Sequence, residues 1–361
     1  MPKKRTKEPQ PPPAPPSLPP ALPSPPAPPA RPPSPKRLKT EPASAIDQSC
    51  NVKNAHPRDK GISFESITHT YCVTGSGPRE YSVTGVKGLF LPSFDADLCL
   101  ERMMSRMDEG GRQIGGKNDG RSREDIGLKW IQSRDFGSYV HDCIDKYYDH
   151  MMDIDPLSLS VEDRKGILYF PKGPEGARVD PKYMKCLDQF LKFETDYAKQ
   201  GWHIFRTEWR VYNDLFVGSV DAVYSRTGVD GTQQYSIVDW KCTEQNIKSV
   251  NQMGLHQTKG YYPIEHLDAS NIIGFAVQLN LYANILETAY AMPVDSLVIV
   301  QLDTHPTRTK YTNVFPLGRM AEEMNGIVAS FREYLDLKNT LKTWDQPGRL
   351  HPVAKRMLYY T

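Results

Sequence analysis

The sequence predicts an α/β domain that follows a proline-rich N-terminal tail, and two patterns carry this prediction. Three consecutive segments, Trp202–Tyr212, Leu215–Ser225 and Tyr235–Lys241, have the alternation and the β-branched and aromatic residues of β-strands. Pro181–Lys199 before them and Asn271–Tyr290 after them have helical periodicity. Helices on both sides of such strands indicate a sheet that is covered by helices.

The tail is recognised by its composition. The first 42 residues hold 18 of the 31 prolines and no aromatic residue. Such a segment buries too little apolar surface to fold, so residues 1–55 are predicted to be disordered. Its two basic clusters, Lys3–Lys7 and Lys36–Lys39, are typical of nuclear localisation signals that bind importin. The sequence therefore predicts a nuclear protein; a basic tail that only touches nucleic acid, or a proline-rich ligand for SH3-type modules, are the alternatives.

Cysteine spacing, hydropathy and charge exclude several classes of protein. The six cysteines include no C-x-x-C pair, which argues against a disulfide framework, a zinc ribbon and an iron–sulfur cluster. No apolar run approaches the roughly 18 residues that a membrane helix needs, so no membrane partner is expected. Residues 1–40 carry a charge of +7, which leaves −5 on the remainder because the whole chain has +2. If the domain binds nucleic acid, it must use a local basic patch around an acidic centre, whose charge bound metal cations would offset.

Weaker patterns define the other elements. The extension 56–130 is predicted to contain a β-hairpin, Ile62–Val73 with Glu80–Val86, and a helix that is capped by Ser93 or Asp95 and ends at Met107. Glycine-rich residues 108–123 are predicted to form a loop. The core, 131–345, is expected to add four elements: a helix Glu124–Met152 that breaks near Gly137, the strands Ser296–Asp303 and Tyr311–Phe315, and a closing helix Arg319–Lys342. Residues 346–361 are predicted to be a C-terminal tail.

Two carboxylates and a lysine lie on adjacent predicted strands. Because side chains alternate between the faces of a strand, Asp239 and Lys241 point the same way, while Trp240 points away and leaves its carbonyl oxygen free. Asp221 on the neighbouring strand can reach the same place. Oxygen ligands of this kind suit Mg²⁺, and Lys241 would orient a water, lower its pKa or neutralise a phosphate. An ordinary salt bridge at a strand end is the alternative for this D-x-K pattern.

Five motifs occur in a fixed order: a G-x-x-x-H motif that ends at His141, then Glu208, a G-x-x-D motif that ends at Asp221, Asp239-Trp240-Lys241, and a Q-x-x-x-Y motif from Gln278 to Tyr282. This ordered set resembles the RecB-like exonuclease branch of the PD-(D/E)xK nuclease superfamily. Size and layout are similar to mitochondrial genome maintenance exonuclease and to viral or phage exonucleases. The motifs span about 40% of the chain.

The resemblance implies a restriction-endonuclease-like core, in which helices flank a central mixed sheet. It implies a metal-dependent DNA exonuclease that acts on ends or single strands in replication, repair or recombination. Asp221, Asp239 and Lys241 would be catalytic. The ligands of Mg²⁺ or Mn²⁺ would be His141, Asp221, Asp239 and the Trp240 carbonyl, with Glu208 as an additional candidate; Gln278 and Tyr282 would support the active site and contact DNA.

Each motif residue also has a structural alternative. His141 fits a hydrogen-bonded core histidine, Glu208 fits an ion pair with Arg206 or Arg210, and Gln278 with Tyr282 fits a buried pair bonded to each other. At the level of function, two alternatives stay open. One is a structure-specific endonuclease on the same fold, and the other is a catalytically inactive nucleic-acid-binding module. The intact Asp221, Asp239 and Lys241 favour an enzyme, and the Q-x-x-x-Y helix favours an exonuclease.

Overall fold

The computed structural model describes residues 49–342, except for 80, 93–95, 105–106, 109, 113, 115–118, 152–153, 169–180, 245–246, 248–257 and 306–312. The chain divides into two units after Ile46, and every described residue belongs to the second unit, Asp47–Thr361. Several predictions therefore lie outside the described residues: the disorder and basic clusters of residues 1–48, the caps Ser93 and Asp95, and the C-terminal tail 346–361.

The described residues form eight strands and eight α-helices. The strands are β1 (Ile62–Glu65), β2 (Thr70–Val73), β3 (Gly77–Arg79), β4 (His203–Tyr212), β5 (Val217–Thr227), β6 (Gln233–Thr243), β7 (Val294–Asp303) and β8 (Asn313–Leu317). The α-helices are α1 (Cys50–Lys53), α2 (Val83–Phe90), α3 (Ala96–Met103), α4 (Arg123–His150), α5 (Val161–Ile167), α6 (Pro181–Ala198), α7 (Asn271–Ala289) and α8 (Ala321–Lys342).

The centre of the domain is a mixed sheet in the order β4-β5-β6-β7-β8. Neighbouring strands are antiparallel except β6 and β7, which are parallel because the connection through α7 brings the chain back across the sheet. One face packs on α4 and α6, where Val238 and Val300 are buried. The other face packs on α2, α7 and α8, where Ile237 and Ile299 are buried. The predicted α/β class, a mixed sheet flanked by helices, is thus confirmed.

The N-terminal region differs from its prediction in three places. Helix α1 and the residues after it are ordered on β4, because Asn51 Oδ1 accepts hydrogen bonds from Arg206 Nε at 2.9 Å and from the Thr207 N–H at 3.1 Å. The predicted tail 1–55 therefore overlaps the folded unit. The predicted first strand of the hairpin, Ile62–Val73, is instead two strands, β1 and β2, which pair with each other in antiparallel orientation. The predicted second strand, Glu80–Val86, is also wrong, since β3 ends at Arg79 and Val83 begins α2. The cause is tertiary packing, which buries Val83, Val86 and Phe90 at helical spacing.

Helix α4 is continuous, so the predicted break near Gly137 is wrong. Its first turn has a capping box, in which Ser122 and Asp125 each bond the other's backbone N–H. At Gly137 a β-carbon would lie 3.9 Å from Cys242 Cβ on β6, an ordinary van der Waals contact, so the helix passes through this glycine without a bend. Helix α3 ends at Met103 and not at Met107. None of the described helices is both long and apolar enough to cross a membrane.

Candidate functional site

The candidate site lies where β5 and β6 separate. Their register pairs Thr227 with Gln233 at one end and Ala222 with Val238 at the other. Beyond that pair, the Trp240 N–H donates a hydrogen bond to Asp221 Oδ2 at 3.1 Å. A side-chain carboxylate thus replaces the usual backbone acceptor, and the opening between the strands gives Asp221 its position in the sheet.

Side-chain alternation along β6 places its acid and its lysine on one face. Asp239 is 3% exposed and forms an ion pair with Lys241 through Oδ2. The Lys241 Nζ lies 5.3 Å from the centre of the Phe275 ring on α7, whereas Trp240 packs on the opposite face against Phe190. The Lys241 ammonium therefore neutralises this buried carboxylate, which would otherwise be costly to bury.

His141, Glu208 and Asp221 form a cluster in which one ligand atom from each lies within 4.8 Å of the others. His141 Nδ1 is 3.5 Å from Asp221 Oδ2 and 3.7 Å from Glu208 Oε1. The side chain of Asp221 is 17% exposed and that of Glu208 is 40% exposed, so Glu208 lies at the rim. The structure therefore brings together three residues from three different motifs.

The electrostatics of His141 depend on these carboxylates. Burial disfavours the charged imidazole, but Asp221 and then Glu208 outweigh it and raise the pKa of His141 to about 9. The other ring nitrogen, Nε2, lies 3.1 Å from the Trp240 carbonyl oxygen. Nδ1 thus faces the carboxylates of Asp221 and Glu208. The Trp240 carbonyl oxygen, which was predicted to be free, is thus engaged by the ring of His141.

Burial and charge also act on the pair on β6. Burial raises the pKa of Asp239 to about 6, against the opposing effect of Lys241. Burial would lower the pKa of Lys241, but Asp239 and Asp221 raise it above its ordinary value. Lys241 is therefore an ammonium at neutral pH. It supplies positive charge and hydrogen-bond donors, and it is not a free base.

Glu208 is held in an unusual backbone conformation. Its φ is 43°, in the left-handed region that residues other than glycine rarely adopt. Its neighbours on β4 are engaged elsewhere: Arg206 forms an ion pair with Asp59 at 2.8 Å, and the Arg210 guanidinium lies 5.5 Å from the centre of the Phe64 ring. The structural alternative for Glu208, an ion pair with Arg206 or Arg210, is thus replaced by its approach to His141. Strained residues of this kind concentrate at functional sites.

Gln278 and Tyr282 lie beside the carboxylates on α7. Tyr282 is 5% exposed, hydrogen-bonds to Gln278 and lies close enough to Asp221 to interact with it electrostatically. The two residues are therefore bonded to each other, as one alternative expected, and border the site as the resemblance implies. The glycine of the G-x-x-D motif has a packing role, because a β-carbon on Gly218 would lie 2.8 Å from Tyr282 Cε1.

Lys87 is a site residue that sequence reasoning missed. It lies on α2 and donates to Gln278 Oε1 at 3.3 Å. Burial, and then Lys241, lower its pKa, while Asp239 acts in the opposite direction. The segment around it was predicted to be a strand and lies outside all five motifs. The spacing of Val83, Val86 and Phe90 is the signal that would have found the helix, with Lys87 at the edge of its buried face.

Comparisons with known proteins identify no relative of this chain. The sequence matches no protein-family model, and no curated protein matches it.

Proposed function

We propose that the chain is a metal-dependent DNA exonuclease with a PD-(D/E)xK core, which hydrolyses phosphodiester bonds from the ends of double- or single-stranded DNA. The observation that carries this proposal is the clustering of His141, Glu208 and Asp221 within 4.8 Å, next to the Asp239–Lys241 pair. Four motifs separated along the chain contribute to one place in the fold. Simple packing does not require two carboxylates, a glutamate in a strained conformation and a lysine to meet there.

The donor set fits a hard divalent cation. Asp221, Asp239 and Glu208 offer carboxylate oxygens, and His141 offers Nδ1. Asp239 Oδ2 is buried and already lies against the positive charge of the Lys241 ammonium, so this position accommodates a cation. When bound, Mg²⁺ or Mn²⁺ would polarise the phosphoryl oxygen and lower the pKa of a bound water.

The remaining chemistry belongs to side chains of this chain. Lys241, which the two aspartates keep protonated, would neutralise charge on the phosphate and hold the attacking water by hydrogen bonding. Asp221 is fixed by the Trp240 N–H, so its carboxylate is oriented before substrate binds. This fixed arrangement supports turnover more than a binding role, because binding alone requires no acid–lysine pair in a buried position.

The test is digestion of four DNA substrates, linear and covalently closed circular, each single- and double-stranded, with Mg²⁺, Mn²⁺ or EDTA. The proposal predicts that linear DNA is degraded with either metal, that closed circles survive, and that EDTA stops the reaction. Cleavage of closed circles would instead support the structure-specific endonuclease. Tight DNA binding without any cleavage would support the inactive binding module.

Matched variants exclude a contaminating nuclease. Asp239→Asn removes a candidate ligand with little change of shape, and we expect it to abolish digestion. Asp196→Asn removes a carboxylate that pairs with Lys192 on the exposed face of α6, and we expect it to leave digestion unchanged. If both variants digest DNA at the wild-type rate, the activity does not belong to this site.

A further inference from the structure

Helix α2 delivers a lysine into the candidate site from outside the five motifs. Ser82 caps the helix, and its side chain accepts from the Gly85 N–H at 3.2 Å. Val83, Val86 and Phe90 bury one side of the helix against the core that α7 shares. Lys87 lies at the edge of this buried side and is half-buried, and its ammonium donates to Gln278 Oε1 at 3.3 Å.

The charged groups around Lys87 do not stabilise its ammonium form. The charged groups that act on it are Lys241, which repels it, and Asp239, which already pairs with Lys241. Gln278 offers only a neutral amide oxygen. Both lysines approach the same helix: Lys241 Nζ lies 5.3 Å from the centre of the Phe275 ring, and Lys87 contacts Gln278, three residues further along α7. An anion that binds between two such cations offsets their repulsion. In a nuclease, the anion that reaches this place is a phosphate of the nucleic-acid strand.

We propose that Lys87 and Lys241 together bind the phosphate at the cleavage position, and that Gln278 positions Lys87 for this contact. The inference rests on the proposed function and names the partner of Lys87 as a phosphodiester. It also changes the expected role of Gln278. The Gln278 amide already contacts Lys87 and Tyr282, so it holds protein groups in place, and the contact with DNA belongs to the lysine.

The first test measures binding, so that it does not depend on turnover. A fluorescein-labelled 20-nucleotide single strand is titrated with protein in Ca²⁺ in place of Mg²⁺, with intact oligonucleotide verified afterwards. Lys87→Met should weaken binding roughly tenfold or more, as expected for a charge-assisted hydrogen bond. The slope of log affinity against log salt should become shallower by about 0.7, as expected for one phosphate contact on a single strand. Lys87→Arg should keep the wild-type slope.

The second test identifies the phosphate. Uncharged methylphosphonate linkages are introduced one at a time into the same oligonucleotide. In the wild type, one linkage should weaken binding about as much as Lys87→Met does, and in Lys87→Met that linkage should have no further effect. Gln278→Ala should likewise weaken the wild type and add little to Lys87→Met. Lys192→Met, on the exposed face of α6, is the control and should change neither the slope nor the linkage pattern.

The outcomes separate this inference from the proposed function. If the wild type degrades linear DNA in a metal-dependent manner but Lys87→Met keeps the wild-type slope and linkage pattern, the role of Lys87 is refuted and the nuclease stands. If Lys87→Met shows the shallower salt slope while the wild type degrades no DNA, the phosphate contact of Lys87 is supported and the proposed nuclease function is refuted. Additive effects of Lys87→Met and Gln278→Ala would refute the positioning role of Gln278.

Discussion

Gly218→Ala tests whether the G-x-x-D strand and the Q-x-x-x-Y helix depend on each other through direct contact. A β-carbon on residue 218 would lie 2.8 Å from Tyr282 Cε1, 3.0 Å from its hydroxyl oxygen and 3.3 Å from Cζ. Carbon atoms in contact are normally about 3.5–4.0 Å apart. The Tyr282 ring is 5% exposed, so it cannot swing into solvent to make room.

The magnitude follows from two opposing contributions. Replacing a glycine inside a strand normally adds about 0.5–1 kcal/mol of stability, because alanine loses less conformational entropy on folding. Overpacking of a closed core costs about 1–3 kcal/mol. The overlap of roughly 0.7 Å with a buried ring favours the upper half of that range. We therefore expect a net loss of about 1–2 kcal/mol in the free energy of unfolding.

The assay is urea denaturation of four proteins: wild type, Gly218→Ala, Tyr282→Leu and the double variant. The smaller side chain of Tyr282→Leu removes the clashing ring, so the double variant should be more stable than the sum of the single effects by about 1–3 kcal/mol. Gly127→Ala is the matched control. A β-carbon there meets no atom within 4 Å, and a gain of up to about 1 kcal/mol is expected in the helix.

Two results would refute this reasoning. The first is a Gly218→Ala protein as stable as Gly127→Ala, which would mean that Tyr282 does not fill the space above the strand. The second is additivity of Gly218→Ala and Tyr282→Leu within about 0.5 kcal/mol, since residues in contact are expected to couple more strongly.

Four further predictions concern backbone strain at Glu208, the buried ion pair of Arg164 and Glu194, the pH dependence of that pair, and the tail. Because Glu208 has a φ of 43°, Glu208→Gly should be more stable than Glu208→Ala by about 1 kcal/mol in thermal unfolding. Both variants should lose activity, and equal stability of the two would show that the backbone at residue 208 is not strained. Arg164 and Glu194 form a buried ion pair at 2.9 Å, so Arg164→Met should cost about 3–5 kcal/mol. Burial raises the pKa of Glu194 to about 7, so the stability that its bound proton contributes should be complete below about pH 4.5 and lost as the pH rises through 7. Glu194→Gln should abolish this pH dependence, and a variant with the wild-type profile of stability against pH would contradict the prediction. A reporter fused to residues 1–40 should enter the nucleus, and a cytoplasmic reporter would refute the import signal.

The sequence predicted best what depends on local pattern. The three strands β4–β6 and the helices α6 and α7 have strong periodicity, and their bounds agree with prediction to within a few residues. The shared face of Asp239 and Lys241 followed from strand alternation alone, because the side-chain period of a strand is fixed at two residues.

Tertiary contacts explain what the sequence could not supply. The region of α2 contains β-branched residues and glycines, which disfavour a helix locally, and it folds as one because Val83 and Val86 are fully buried against the core. Because the segment Glu80–Val86 was predicted to be a strand, the position of Lys87 on a helix beside the site was not predicted. The conformation of Glu208 is equally invisible in sequence, because a strand pattern carries no sign of a residue forced to a φ of 43°. Helix α4 likewise continues through Gly137, where the sequence predicts a break, and its buried residues pack on α6 and on the sheet.

The central claim is that the Asp221–Asp239–Lys241 site hydrolyses DNA with a bound metal. The most direct measurement is the single-turnover rate on end-labelled linear DNA at saturating protein, for wild type and Lys241→Ala, with Mg²⁺ and with EDTA. Phosphodiester hydrolysis needs catalysis on the order of 20 kcal/mol, so loss of one electrostatic group should be severe. We predict that Lys241→Ala is at least about a hundredfold slower while still binding DNA, and that EDTA abolishes the wild-type rate. A near wild-type rate for Lys241→Ala, or full activity in EDTA, would contradict the account.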